Sequence, residues 1–93
     1  TMTIEVEAKT LEQVEEAVNA GADIIMLDNM PPEVMARAVQ IARGRAIIEA
    51  SGNMTVQRAL EAARLGVQVV SVGSVTHSAR ALDLSLNVIS PGY

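Results

Sequence analysis

The chain has no cysteine, no tryptophan and no phenylalanine, and its single tyrosine is the last residue, Tyr93. Without cysteine, disulfides, thiol catalysis and thiolate metal sites are excluded. With aromatics at 1%, a nucleic-acid platform of stacked rings has nothing to build on. Positive charge is scarce: 7 Lys and Arg against 11 Asp and Glu give a net charge of −4, which argues against a polyanion-binding surface. No apolar run approaches the ~18 residues that span a bilayer, and no signal-peptide pattern opens the chain. These absences fit a cytoplasmic protein without nucleic-acid or membrane partners.

What is present is aliphatic. Hydrophobic residues make up 49% of the 93 positions, enough for one domain with a modest core and too many for a disordered chain. Gly21, Gly44 and Gly66 recur 23 and 22 positions apart, each after a helical pattern and before a β-rich run. Thr10 is placed to cap a first helix with Gln13 three residues on, and Leu11, Val14 and Val18 form its apolar stripe. A second helix starts at Pro31-Pro32-Glu33 and buries Val34, Ala38, Ile41 and Ala42. A third carries Val56, Ala59, Leu60 and Ala63. A short fourth is predicted from about Ser78 to Leu86. The runs Ile24–Leu27 and Val69–Val72 are mostly apolar at successive positions, as in parallel strands covered on both faces. Four βα units of about 22 residues then imply a parallel sheet with right-handed crossovers. The fold class is α/β, either half of a (βα)8 barrel or a flavodoxin-like open sheet. Residues 1–93 read as one such segment, and the chain's start directly on a strand suggests a piece of something longer.

Each strand-like run ends in polar residues. Ile4–Val6 runs into Glu7, Ile24–Leu27 into Asp28-Asn29, Ala46–Ile48 into Glu49 and then Ser51-Gly52-Asn53, and Val69–Val72 into Gly73-Ser74. In a parallel α/β fold these ends share one edge, where such folds place their ligands. Ser51-Gly52-Asn53 and Gly73-Ser74 suit anions, because glycine admits close approach to backbone N–H groups near a helix start. Both glycines could equally serve tight turns, with Thr55 acting only as a cap. Glu7, Asp28 and Glu49 could hold a divalent cation, bind sugar hydroxyls or offset a developing positive charge. Their plainer alternatives are a solvated edge strand for Glu5 and Glu7, a cap on Pro31-Pro32 for Asp28, and an ion pair with Arg45 or another arginine for Glu49. His77, the only histidine, sits beside Thr76 and Ser78 as a cap or hydrogen-bonder would. Lys9 and the arginines read as solvated faces, except Arg80, which follows Gly73 closely enough to reach a phosphate. The five methionines read as core filler.

Taken together, Glu5-Val6-Glu7, Ala20–Asn29, Glu49–Asn53, Val72–Ser78 and Ala81–Leu86 resemble, in order and spacing, the C-terminal part of the quinolinate phosphoribosyltransferase family. The resemblance spans roughly Thr3 to Leu86. It implies an enzyme of NAD biosynthesis that transfers phosphoribosyl from phosphoribosyl pyrophosphate to quinolinate, giving nicotinate mononucleotide, CO2 and pyrophosphate with Mg²⁺. By position it gives Glu7 and Asp28 the ribose hydroxyls and the metal. Ser51, Gly52, Asn53, Gly73 and Ser74 receive the 5′-phosphate, and His77 falls within the last loop's motif.

The family's N-terminal domain and earlier barrel strands, which carry the basic residues for the substrate carboxylates, have no counterpart here. The tail Val88–Tyr93 has none in the family. The expectation is therefore a partial site without turnover. Two alternatives are a structural βα module without ligand and another phosphate-binding barrel enzyme, the lack of a strand-end lysine speaking against Schiff-base aldolases. A half barrel leaves an open face and open edges, so self-association into a homo-oligomer, or refolding to an open sheet, is expected over a monomeric half barrel.

Overall fold

The computed structural model describes residues 2–72 and 75–78, with backbone alone for 72 and 75–78. The element order is β1 (Glu5–Ala8), α1 (Leu11–Asn19), β2 (Ile24–Asp28), α2 (Pro32–Ala42), β3 (Ile47–Ser51), α3 (Val56–Arg64), β4 (Val69–Val72) and β5 (Val75–Ser78).

Local chemistry sets the helix ends. Thr10 and Thr55 accept from the backbone N–H of Gln13 and Arg58, each at 3.1 Å. Each cap stabilises by about 1 kcal/mol. The Gln13 side chain returns to the N–H of Lys9 at 2.7 Å, a capping box whose return arm reaches one residue further out than the usual pattern. At their C-termini α1 and α3 close alike, with Ala22 and Val67 donating to Ala17 and Ala62 at 3.0 and 3.1 Å. Gly21 and Gly66 take the left-handed φ values, +89° and +103°, which this closure demands.

The four parallel strands lie in sequential order, β1-β2-β3-β4. A flavodoxin-like sheet would place β2 outside β1, so of the two expected architectures the chain adopts the half barrel. One face of the sheet meets all three helices. Ala8, Ile25, Leu27, Ile48, Ala50 and Val70 are buried there against Val14, Ala17 and Val18 of α1, Met35, Ala38 and Ala42 of α2, and Ala59 and Ala62 of α3. Of the expected helix stripes Val14, Val18, Ala38, Ala42 and Ala59 are buried, while Leu11, Ile41, Val56 and Leu60 are only half-buried. Met35 and Ala62 are buried where Val34 and Ala63 were expected, and those two are only half-buried.

Among the described residues no helix covers the other face. Ile24, Met26 and Val69 are half-buried, Ile47 is 42% exposed, and Glu5 and Glu7 are exposed. Apolar continuity in β2 and β4 thus marks two buried faces in a closed barrel, whereas this chain covers one. Between β2 and β3 the register keeps repeat-equivalent residues opposite, Ile24 to Ile47. Between β3 and β4 it slips by two, pairing Glu49 with Val69. Such stagger is what tilts strands into a barrel.

The edge at which the strands begin is fastened by side chains. Asp23 Oδ2 accepts from the Ile4 N–H at 2.8 Å, and Gln68 Oε1 from the Ile48 N–H at 2.9 Å. Both residues sit two positions after a repeat glycine, so each unit ties its own strand to the one before.

One expectation fails at the last unit. Val75–Ser78 is not a loop leading into a helix; it turns back and pairs antiparallel with β4, Val72 opposite Val75 and Val69 opposite Ser78. Two residues, Gly73-Ser74, separate the strands, and a Gly-Ser pair between β-branched runs is a hairpin signal. The rest of the expected fourth helix, Arg80 and the tail lie outside the described residues.

Candidate functional site at the strand ends

Parallel pairing brings the strand ends to one edge. Asp28 of β2 is the register partner of Ser51 of β3. Lys9 follows Ala8, the partner of Leu27, and Ser71 follows Val70, the partner of Ala50. Asp28, Ser51 and Ser71 therefore stand level on the open face, Lys9 lies in the bend that follows β1, and β5 sets Thr76 opposite Ser71. One layer below lie Glu7, Met26, Glu49 and Val69. Pleat alternation puts both layers on the same side of the sheet.

The two predicted carboxylates differ in setting. Glu7 is exposed and Asp28 half-buried. Their Cα atoms are about 8 Å apart, two residues along a strand and one strand across, close enough to share one ligand's hydroxyls. Asp28 does not cap α2. That cap is Pro31, without a side-chain bond, and Asp28 makes no side-chain hydrogen bond among the described residues. Glu49 is buried at 8% exposure, and its Oε2 accepts from Ser71 Oγ at 2.6 Å. Arg45 is not its partner: it sits at the opposite edge and donates to the Ile41 carbonyl at 3.0 Å.

The β3–α3 loop has a shape that only certain residues permit. Asn29 adopts φ +54° and its N–H donates to the Ser51 carbonyl at 2.9 Å; asparagine tolerates this region. Gly52, at φ +116°, faces it so closely that a Cβ would stand 2.9 Å from Asn29 Cα. The ends of β2 and β3 are thus locked together. After Gly52 the chain needs three more residues to reach α3, with its cap at Thr55. No backbone acceptor among the described residues takes the N–H of Asn53, Met54 or Thr55. A run of unclaimed donors leading to the positive end of a helix is an anion-binding arrangement.

The structure thus brings Glu7, Asp28, Glu49, Ser51, Gly52 and Asn53 to one edge. Gly73 and Ser74 lie outside the described residues. His77 occupies the position opposite Val70, off the row that holds Asp28 and Ser51. Two residues were missed. Ser71 was hidden in a run read as apolar, although its 22-residue spacing from Glu49 marks it as the equivalent position in the next unit. Lys9 was assigned to a helix surface and lies directly after β1, so a strand-end lysine is present after all. No cluster of three or more acidic or histidine side chains suited to a metal occurs among the described residues, and no helix among them is long and apolar enough to cross a membrane.

The chain is similar to known proteins in sequence and fold. The family profile "Quinolinate phosphoribosyl transferase, C-terminal domain" matches residues 1–87. A probable nicotinate-nucleotide pyrophosphorylase (carboxylating) of Archaeoglobus fulgidus is 46% identical, covering 96% of this chain and 36% of its own length. The similarly named protein of Bacillus subtilis is 40% identical over 94% of this chain and 30% of its own. The solved nicotinate-nucleotide pyrophosphorylase of Francisella tularensis superposes with a TM-score of 0.74 at 37% identity, covering 84% of this chain and 29% of that one. The chain spans about a third of the length of the relatives it matches.

Proposed function

The chain belongs to the quinolinate phosphoribosyl transferase family, as a segment of its C-terminal domain, and on that premise we propose that its strand-end edge is the ribose-and-phosphate half of a phosphoribosyl-transfer site. The observation that carries this is the coincidence of Asp28, Ser51 and the unclaimed N–H groups of Asn53–Thr55 at one edge. In the whole enzyme the substrates would be phosphoribosyl pyrophosphate and quinolinate. The quinolinate nitrogen forms a bond to C1′ as the C1′–pyrophosphate bond breaks, and a proton then replaces the departing carboxylate as CO2.

Glu7 and Asp28 would accept hydrogen bonds from the ribose hydroxyls. Their charges would favour the cationic character that develops at C1′ as pyrophosphate departs. Ser51 and the loop N–H groups would hold the 5′-phosphate, fixing C1′ relative to the incoming nitrogen. Gly73 and Ser74 are proposed to add donors from the next unit. Glu49 is the possible further carboxylate, and His77 has no assigned step.

Two carboxylates without a third protein ligand suit Mg²⁺, which keeps several waters and is commonly held by one or two carboxylates together with substrate phosphates. Glu7 and Asp28 would hold it, and the ion would neutralise the leaving pyrophosphate. Basic residues are scarce in the chain, 7 against 11 acidic ones, so the charge needed for a dicarboxylate would come from the rest of the parent enzyme. We also propose a cytoplasmic location, which cell fractionation checks.

Calorimetric titration with nicotinate mononucleotide and Mg²⁺, beside an assay of pyrophosphate release, tests this reading. Binding without turnover is expected. Turnover by the 93 residues would refute the half-site reading, and absence of binding would refute the site.

The partly exposed Ile24, Met26, Ile47 and Val69, beside a β1 edge that pairs with no further strand among the described residues, also favour self-association. Sedimentation equilibrium is expected to show a homo-oligomer. A monomer up to millimolar concentration would contradict this.

A further inference from the structure

We infer that Asn29 is the positioning residue of the Asp28 carboxylate, which it holds toward the open face through the backbone. The inference rests on the ribose and Mg²⁺ role proposed above for Asp28. Asn29 is the only non-glycine residue with a positive φ among those described, at +54°. Left-handed backbone outside glycine is uncommon and costs stability, so it persists where the surrounding structure demands it.

The demand comes from the residues on either side. Side chains alternate along a strand, so Ile24, Met26 and Asp28 share the open face. Continued extension would put Met30 there too. Met30 is instead 4% exposed and belongs to the core against which the helices pack. Pro31 follows as the cap of α2 and biases Met30 itself toward extended backbone. Asn29 is thus the one residue left to reverse the alternation. Its left-handed turn sends Met30 inward while Asp28 stays outward. Without that turn, burying Met30 would draw Asp28 away from the face that carries Glu7.

The turn is also fixed to β3. The Asn29 N–H donates to the Ser51 carbonyl at 2.9 Å, one residue beyond the pairing of Asp28 with Ser51. Gly52 faces it so closely that a Cβ would stand 2.9 Å from Asn29 Cα, Cβ and Oδ1. The direction of Asp28 is therefore set by the neighbouring strand as well as by its own.

The test compares wild type with Asn29→Gly and Asn29→Ala by amide NMR titration with nicotinate mononucleotide and Mg²⁺. Dissociation constants are taken on the folded fraction, and exchange of the residue 29 amide is followed without ligand. Asn29→Gly takes the left-handed region freely, so it is expected to bind within about threefold of wild type and to keep that amide protected. Asn29→Ala is expected to bind about tenfold more weakly, the size of the penalty an alanine meets in that region, and to lose the protection. An Asn29→Ala variant that unfolds earlier yet binds equally in its folded fraction would confine the residue to stability and overturn the inference. Asn29→Gly binding about tenfold more weakly than wild type overturns it too, since the side chain rather than the turn would then matter. That second arm stands even if Asn29→Ala does not fold. A wild type that binds nothing withdraws the Asp28 site and this role together, whereas equal binding by all three proteins removes the role alone.

Discussion

Gly52→Ala is expected to destabilise the fold by about 3 kcal/mol, through φ strain and steric conflict together. The residue holds φ +116°, which L side chains rarely adopt, and its Cβ would stand 2.9 Å from Asn29 Cα, Cβ and Oδ1. The Asn29 backbone is not free to retreat, because its N–H is bonded to the Ser51 carbonyl at 2.9 Å. A domain of this size has a stability of about 5–14 kcal/mol, so one methyl group would remove a large share of it. Gly44→Ala is the control. Its φ is +76°, and a Cβ there meets nothing within 4 Å, so only about 1 kcal/mol of backbone strain is expected. Urea unfolding of both variants measures the difference. Adding Asn29→Gly to Gly52→Ala removes two of the three close atoms and should recover part of the loss. Equal destabilisation at Gly44 and Gly52 would mean that the β2 and β3 ends are not interlocked.

Asp28→Asn is expected to weaken binding of nicotinate mononucleotide in the presence of Mg²⁺ by about 2 kcal/mol, roughly thirtyfold, the magnitude for hydrogen bonds to a charged acceptor. The same substitution should leave the unfolding midpoint nearly unchanged. Asp28 is half-buried at the end of β2 and makes no side-chain hydrogen bond among the described residues, so the fold loses no partner when its charge goes. The contrast with Gly52→Ala is diagnostic, since one variant should lose stability and the other affinity. Asp28→Asn should also flatten the dependence of binding on Mg²⁺, because a neutral amide is a poorer ligand for a hard cation. An Asp28→Asn variant that binds like wild type, or one that unfolds early, would place this carboxylate in the scaffold.

Much of this was legible in the sequence, for identifiable reasons. The repeat glycines announced the units because helix closure needs a left-handed residue, and Gly21 and Gly66 supply it. The caps at Thr10 and Thr55 follow from local chemistry alone. The strand-end residues were found because parallel connectivity sends every strand's last residue to the same edge. What escaped detection depends on partners distant in the chain. Strand order cannot be read from local pattern, so half barrel and flavodoxin-like sheet stayed equivalent until the pairing of β2 with β3 was known. The return of Val75–Ser78 along β4 was signalled by Gly73-Ser74, but the regular alternation of units argued for another helix. Lys9 and Ser71 were overlooked for the same reason: each sits in a run whose average character, helical or apolar, conceals one residue placed by the register.

The open face connects these points. The row Asp28, Ser51 and Ser71 lies above Ile24, Met26, Ile47 and Val69 on a face that no helix covers among the described residues. The relatives are about three times as long.

The most direct test of the central claim is an amide NMR titration of the chain with nicotinate mononucleotide, with and without Mg²⁺. The account predicts shifts confined to Glu7, Asp28, Ser51–Asn53 and Gly73–Ser74, with those at Glu7 and Asp28 growing when Mg²⁺ is added. A well-dispersed spectrum that does not respond would contradict it, showing strand ends that converge without forming a site.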